Sequence, residues 1–214
     1  MTITLAFELN NKIMDTYNES YRTYHNIQHI NYLLAKSLIA FQNKNITLTL
    51  DQQSSVSLAI MMHDLVYNIW YPVGWNEHFS ELRFREFISQ GFITNISDEQ
   101  IEDISHAILA TAHHTEQQAL DDHPVTQWML DLDLLGFSEP YEAVIYNSNN
   151  VLKEVEALGI PKKTLLNNRV KFLTKLLDRD KLYYTKQFED MIPIAIDNIK
   201  QQIIDTQIEL ESLK

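Results

Sequence analysis

The chain has 214 residues, 45% of them hydrophobic and 21% charged, which is typical of one compact globular domain and excludes extensive disorder. A formal net charge of −12 disfavours nucleic-acid backbones and anionic membrane surfaces as partners. The absence of cysteine excludes disulfides and thiolate zinc sites. The N-terminal segment MTITLAFELNNK has no basic region, and no window is long and apolar enough to span a membrane, so we expect a cytoplasmic protein without a signal peptide.

The first third of the chain predicts three helices. Apolar residues with helical spacing indicate a first helix from Leu5 to about Tyr17 and a second that contains residues 27–38. Asp51 is expected to be the N-cap of a third helix, which runs to the pair His63-Asp64. The following stretch, YNIWYPVGWN, contains proline and glycine and predicts a loop.

The rest of the chain continues with helical patterns separated by glycine and proline. The expected boundaries are an end at Gly91, a capping box at Ser97 and Gln100, starts at Pro124 and after Ser138, breaks at Gly136, Gly159 and Pro161, and an end near Arg179. A long terminal helix follows. With only 4 glycines and 5 prolines, the sequence predicts an all-α fold, one domain over 1–214 with about eight or nine helices.

The segment YHNIQHI places His25 and His29 at positions i and i+4, which helical geometry brings to one face. An isolated pair of this kind is more often a partly buried pair that bonds to the backbone or to an acid. The pair alone therefore leaves both a structural role and a metal site open.

The pair His63-Asp64 follows the apolar run LAIMM, so the end of this helix is expected to be buried. A buried carboxylate requires compensation, and a metal ion supplies it by binding imidazole and carboxylate together. The alternative is an aspartate that faces solvent at a helix C-terminus, which the helix dipole disfavours.

The apolar segment WMLDLDLLGF contains two more carboxylates, Asp131 and Asp133. Each requires a partner if it is buried. Because the two residues are at i and i+2, they point to different faces of a helix, so one could face the core and the other water.

The order of these elements resembles the HD superfamily, and most closely the bacterial proteins described as predicted metal-dependent HD phosphohydrolases. The matching segments are Arg22-Thr-Tyr24-His25 with His29, His63-Asp64 with Tyr67, Asn76-Glu77 with Ser80, Thr111 with His113-His114, Asp131 to Gly136, Arg169 and Asn198. The resemblance implies an HD-like helical bundle and a metal-dependent hydrolase of a small phosphate ester, preferably a nucleotide, that uses a metal-activated water. The alternative is a diverged nucleotide- or metal-binding protein without turnover, and a purely structural helical module is a third hypothesis.

The resemblance assigns His29, His63, Asp64 and Asp133 as metal ligands. Asp133 is preferred to Asp131 because the last ligand of the family commonly precedes a leucine in the middle of its helix, although both residues precede one. A ligand set of nitrogen and oxygen suits Mn²⁺, Fe²⁺, Co²⁺, Ni²⁺ or Mg²⁺.

Three catalytic roles follow from the same resemblance. His25 would protonate the leaving oxygen, and Asp64 would orient the attacking water as well as bind metal. Glu77 would assist proton removal, although an early acid beside an N-cap Asn76 would also stabilise a helix start.

Arg22, Asn76, His114 and Arg169 are the expected substrate-binding residues. For His114 the alternative is a favourable cation at a helix C-terminus, and for Arg169 it is an ordinary surface arginine. The chain departs from the family pattern near Asn149, where relatives carry an arginine, which leaves substrate identity open. Exposed apolar positions on the terminal helix would allow a homodimer.

Overall fold

The computed structural model describes residues 3–116 and 118–213, and within them the chain forms nine α-helices, which confirms the predicted all-α fold. The helices are α1 Phe7–Tyr17, α2 Ile27–Phe41, α3 Leu50–Met62, α4 Trp75–Ser89, α5 Asp98–Ala110, α6 Pro124–Leu134, α7 Tyr141–Glu156, α8 Lys162–Leu177 and α9 Ile192–Ser212. Short 3₁₀ turns extend α5 at Thr111–His113 and α6 at Leu135–Ser138, and a third precedes α9 at Lys186–Met191.

The prediction that the first helix begins at Leu5 is wrong. Thr4–Leu5 forms a short strand, β1, which pairs antiparallel with β2 at Ile93–Thr94. The backbone of Ala6 is extended and its N–H donates to the carbonyl of Phe92, so α1 starts only at Phe7. This pairing fastens the N-terminal segment to the loop between α4 and α5.

Of two predicted helix N-termini, one is confirmed and the other is wrong. The capping box at Ser97 and Gln100 is confirmed, since each side chain binds the backbone N–H of the other residue. Asp51 is not the N-cap of α3, because Thr49 and Gln52 form a second capping box there. Asp51 instead lies in the first turn, where its charge complements the helix dipole.

Helices α3 and α6 form the centre of the bundle. Helix α3 packs on α2, α5 and α6, and α6 also packs on α2 and α5. Most residues of α6 and most residues in the C-terminal half of α3 are buried, as expected for segments that other helices surround. Their C-terminal ends carry the His63-Asp64 pair and Asp133, so the core of the fold determines the positions of these side chains.

The terminal helix α9 leaves Ile194, Ile204 and Ile208 about half exposed or more. A homodimer through this helix remains a prediction. Among the described residues, no helix has both the length and the apolar character that crossing a membrane requires.

Candidate metal centre

Four side chains from three helical segments converge at the centre of the bundle: His29, His63, Asp64 and Asp133, hereafter the metal-site cluster. His29 Nε2 lies 3.1 Å from Asp133 Oδ1 and 3.8 Å from Asp64 Oδ2. His63 Nε2 lies 2.9 Å from Asp64 Oδ2 and 3.7 Å from Asp133 Oδ1. His29, His63 and Asp64 each offer a ligand atom within 4.8 Å of the others, so this buried group could hold a metal ion.

The end of α3 determines which nitrogen of His63 faces the cluster. His63 is the C-cap residue of α3, and its Nδ1 lies 2.9 Å from the carbonyl oxygen of Ile60. A carbonyl only accepts, so Nδ1 carries the proton and Nε2 is directed at the cluster. This arrangement, in which a histidine binds the backbone through one nitrogen and a metal through the other, is common in metal sites.

Two atoms of the cluster lack a hydrogen bond although they are buried. His63 Nε2 and Asp64 Oδ2 are only 2.9 Å apart, but the angles do not satisfy a hydrogen bond and neither atom has another partner in the described part of the protein. Either a proton on Nε2 or a metal cation between the two atoms would compensate the buried carboxylate. The donor set therefore fits a divalent ion.

The N-terminus of α2 positions His29. The side chain of Asn26 caps this helix by accepting hydrogen bonds from the N–H groups of Gln28 and His29. The ring of Tyr24 packs against the His29 imidazole at 4.8 Å between centroids. The cap and the aromatic contact together fix the rotation of the first turn of α2.

The protonation states show that the cluster concentrates negative potential. Burial disfavours an imidazolium, but the carboxylates of Asp64 and Asp133 outweigh it and raise the pKa of His63 to about 9. Burial would likewise favour neutral carboxyl groups, yet the histidines hold the pKa of Asp64 and of Asp133 below the usual range. A pocket that attracts a proton in this way also attracts a metal cation.

The two aspartates of α6 have separate environments. Asp133 faces the cluster, whereas Asp131 points to the opposite side of α6 and accepts hydrogen bonds from the backbone N–H groups of Tyr184 and Thr185. Asp131 is fully buried, and burial raises its pKa to about 7. Asp133, the preferred ligand, is thus the aspartate that lies beside the histidines.

His114 extends the cluster toward a cavity. Its Nε2 lies 2.8 Å from Asp133 Oδ2, whereas the neighbouring His113 faces solvent. A cavity of about 480 Å³ is lined by residues that include Tyr24, His114, Asp133 and Arg169. His114 and Arg169, which were both predicted to bind substrate, therefore line the same cavity as Asp133.

Arg169 is not a surface arginine. Its Nη2 donates to Gln202 Oε1 at 2.7 Å, and its Nε is buried without a hydrogen-bond partner in the described structure. Burial lowers its pKa to about 10, so the guanidinium remains charged near neutral pH. It provides a positive charge in the cavity that an anion could satisfy.

His25 has a partner that the sequence analysis did not identify. Its Nδ1 lies 2.6 Å from Oε2 of Glu154, whose other oxygen accepts the backbone N–H groups of Tyr24 and His25. The ring of Tyr67 stacks on the imidazole at 4.3 Å. Glu154 is buried on α7, on nearly the same face as Val151. An acid on the apolar face of a helix was the signal that could have identified it.

Glu154 and its neighbours lie in the helix where the resemblance to the HD superfamily predicts an arginine. Asn149 is exposed, and the carbonyl of Asn150 accepts a hydrogen bond from Thr23. Helix α7 therefore fastens the segment before α2 and supplies a carboxylate to His25, and it contributes no guanidinium.

Arg22 has a different environment from the predicted phosphate contact. It is buried, and its guanidinium donates to the carbonyls of His25, Asp64 and Leu65 and to the carboxylate of Glu19. Four of its N–H groups are thereby used within the protein. These bonds favour a role in which Arg22 joins the two segments that carry the cluster histidines.

We expect Arg22→Lys to lower the free energy of unfolding by about 3 kcal/mol, because lysine cannot reach these carbonyls together. Denaturant unfolding measures this loss, and metal affinity should weaken with it. Arg83→Lys, on an exposed arginine of α4, is the matched control and should change stability by less than about 0.5 kcal/mol. Equal effects of the two changes would contradict the joining role.

The N-terminus of α4 corrects one expectation. The helix starts at Trp75 with Gly74 as the N-cap, at a positive φ of 84°, so Asn76 is not the cap. Asn76 Oδ1 instead accepts the backbone N–H of Asn68 and closes the intervening loop. Glu77 is in the first turn, and its Oε2 is buried without a hydrogen-bond partner among the described residues. Its role in proton removal remains a prediction.

Comparison of the chain with protein-family models and with curated proteins gives no match.

Proposed function

We propose that this protein is a metal-dependent phosphohydrolase of the HD type, which cleaves a small phosphate ester. The observation that carries the proposal is the metal-site cluster, with the unpaired atoms His63 Nε2 and Asp64 Oδ2 at its centre. Helices that are distant in sequence bring these donors together inside the core, where unpaired polar atoms are costly. A bound cation would satisfy these donors, and this supports the proposal.

His29, His63, Asp64 and Asp133 would hold the ion. When bound, a divalent ion lowers the pKa of water and polarises a phosphoryl oxygen, which is the chemistry that phosphate-ester hydrolysis requires. Mn²⁺, Fe²⁺, Co²⁺, Ni²⁺ and Mg²⁺ are compatible with the donor set.

Other side chains of the protein would transfer protons and bind the phosphate. His25, held by Glu154, would donate a proton to the leaving oxygen. Arg169 and His114 would bind the phosphate from the cavity side. Glu77 would accept a proton from the attacking water, since its buried Oε2 is free to accept one.

A diverged nucleotide- or metal-binding protein without turnover is the second candidate. The lack of an arginine in α7 favours it, because a phosphate pocket with fewer cations binds the transition state less strongly. Metal and nucleotide binding by calorimetry, with no product after prolonged incubation with any phosphate ester, would favour this candidate over the hydrolase.

Metal removal is the primary test. We expect the purified protein to bind close to one equivalent of a divalent transition metal, measured by elemental analysis after loading and desalting. At a free metal concentration of about 100 Kd, binding should add about 2.7 kcal/mol to stability, seen as a higher melting temperature than in the chelated protein. Phosphatase or phosphodiesterase activity should disappear on chelation and return on reloading. A protein that binds no ion under any loading condition would refute the proposed function.

A further inference from the structure

The cavity beside the metal-site cluster has two chemically different parts. Tyr24, His114, Asp133 and Arg169 form one part of its lining, which includes a member of the cluster. Helices α7 and α8 and the connection between them form most of the rest. Their lining side chains are predominantly apolar, among them Val144, Val151, Val155, Leu158, Leu165 and Phe172. A volume of about 480 Å³ is large for a phosphate group alone and is in the range of sites that bury a whole small molecule.

The number of positive charges in the cavity lining limits how many phosphate groups the cavity can bind. Among the described lining residues, Arg169 is the single lysine or arginine, and one of its nitrogens is already bonded to Gln202. The whole chain has a net charge of −12. One buried guanidinium with one unpaired Nε suits one phosphate group, whereas a nucleoside triphosphate would require several cations.

Each aromatic ring of the cavity lining already contacts a charged or aromatic neighbour, which leaves less of its surface for stacking on a base. The guanidinium of Arg169 covers Phe137 at 5.7 Å and Phe172 at 5.5 Å from their ring centroids. The ring of Tyr24 is packed on His29. Three neutral polar side chains, Asn147, Ser148 and Asn168, also reach the lining, but a base and a ribose together carry more polar groups than these could satisfy.

We propose that the substrate is a phosphate monoester of an apolar alcohol, with the phosphate at Arg169 and the cluster and the hydrocarbon group along α7 and α8. This inference rests on the proposed function and narrows it from the nucleotide that the resemblance favours. In the reaction, the oxygen of a water molecule forms a bond to phosphorus, one proton of that water passes to Glu77, and the ester P–O bond breaks. The alkoxide oxygen takes a proton from His25, and the products are the apolar alcohol and inorganic phosphate.

The dependence of binding affinity on the length of the ligand's alkyl group tests the apolar part of the cavity. Calorimetry of the metal-loaded protein with butyl-, hexyl- and octylphosphonate, each below its critical micelle concentration, should show affinity rising up to about fourfold per added methylene, equivalent to about 0.8 kcal/mol. The corresponding alkyl phosphates should show the same trend in kcat/KM. Affinity independent of chain length, or adenosine monophosphate binding more tightly than octylphosphonate, would overturn the inference.

Two substitutions locate the effect. Val151→Trp places a large ring in the apolar part of the cavity and should weaken octylphosphonate at least about tenfold while butylphosphonate changes less than about threefold. Val155→Phe is a milder change with the same expected direction, which keeps the test valid if the first variant folds poorly. Ile194→Trp, on the exposed side of α9, is the control and should leave both affinities unchanged. If the cavity variants weakened the affinities for octylphosphonate and butylphosphonate by the same factor, the assignment of the apolar part of the cavity would be contradicted.

The two proposals fail in different ways. If no phosphate ester is hydrolysed but phosphonate affinity still rises with chain length, the hydrolase proposal fails and the assignment of the cavity stands. If short esters are hydrolysed without any dependence on chain length, the hydrolase stands and the apolar substrate class is wrong.

Discussion

Asp133→Asn is expected to abolish metal binding and activity. Asp133 contacts three histidines, His29 and His114 by hydrogen bonds and His63 at 3.7 Å, and it supplies negative charge to the cluster. An amide of the same shape removes that charge and one acceptor. We expect metal affinity to fall at least about 100-fold and kcat/KM to fall by on the order of 10³. Elemental analysis and a phosphatase assay measure the two effects.

Asp131→Asn is the matched control, two positions earlier on α6. It should retain full metal content, because Asp131 binds the backbone of Tyr184 and Thr185 and does not reach the cluster. One of those N–H groups would lose its acceptor, which costs about 1 to 3 kcal/mol of stability. If Asp131→Asn lost the metal and Asp133→Asn retained it, the assignment of the ligand would be wrong.

The same control has a pH dependence with a definite sign. The folded-state pKa of Asp131 is raised to about 7, above the value of about 4 in an unfolded chain. Its favourable contribution is therefore fully present below about pH 4 and is lost as the pH rises through 7. Asp131→Asn should be more destabilising at pH 5 than at pH 8.

His25→Ala is expected to slow hydrolysis by a factor that depends on the leaving group of the substrate. Without the proton donor, hydrolysis of an alkyl phosphate should slow by about 10² to 10⁴, since the alkoxide is a poor leaving group. 4-Nitrophenyl phosphate, whose leaving group needs no proton, should slow less than about tenfold. Equal losses with both substrates would exclude His25 as the general acid.

Glu154→Gln tests whether Glu154 maintains the proton on His25. Burial disfavours protonated His25, but the carboxylates of Asp64 and Glu154 raise its pKa above the usual 6.5. A metal ion bound at Asp64 would neutralise the Asp64 carboxylate, so Glu154 would then be the main group that raises the pKa of His25. Because the protonated form is active, activity is lost as the pH rises through this pKa. Removing the Glu154 charge should therefore move the alkaline limb of the profile to lower pH.

A glutamate on the same helix provides the comparison. Glu156 is exposed on α7, so Glu156→Gln should leave the pH profile unchanged. A purely structural role of Glu154 would lower activity by the same factor at every pH. A uniform loss of this kind, with the alkaline limb unmoved, would refute the positioning role.

Features that depend on a few neighbouring residues were predictable from the sequence. The capping box at Ser97 and the helix start at Pro124 follow from local chemistry, and both are present. Asp51 was misassigned because an acid in the first turn has the same preference as a cap, and the nearby Thr49 competes for that position. The start of α1 was misplaced because strand pairing with residues almost ninety positions away overrides local periodicity.

The candidate site was only partly predictable for the same reason. Periodicity placed Asp131 and Asp133 on different faces of α6, but only the packing of α6 shows which face meets the histidines. The environment of Arg22 depends on carbonyls more than forty positions away in the chain. The sequence of α7 does not show which residue Glu154 contacts. The importance of Glu154 depends on a contact with His25, which is 129 positions distant.

That separation in sequence has a consequence for the order of folding. His29 and Asp133 meet across 104 positions of chain, so an ion that gathered both in the unfolded state would have to close a very long loop. The loop-closure entropy makes that route unfavourable compared with packing α2, α3 and α6 first. Unlike a zinc finger, whose ion induces the fold, this chain should complete its helical bundle before it captures an ion. Refolding rates should accordingly be insensitive to metal, and unfolding rates should fall when metal is bound.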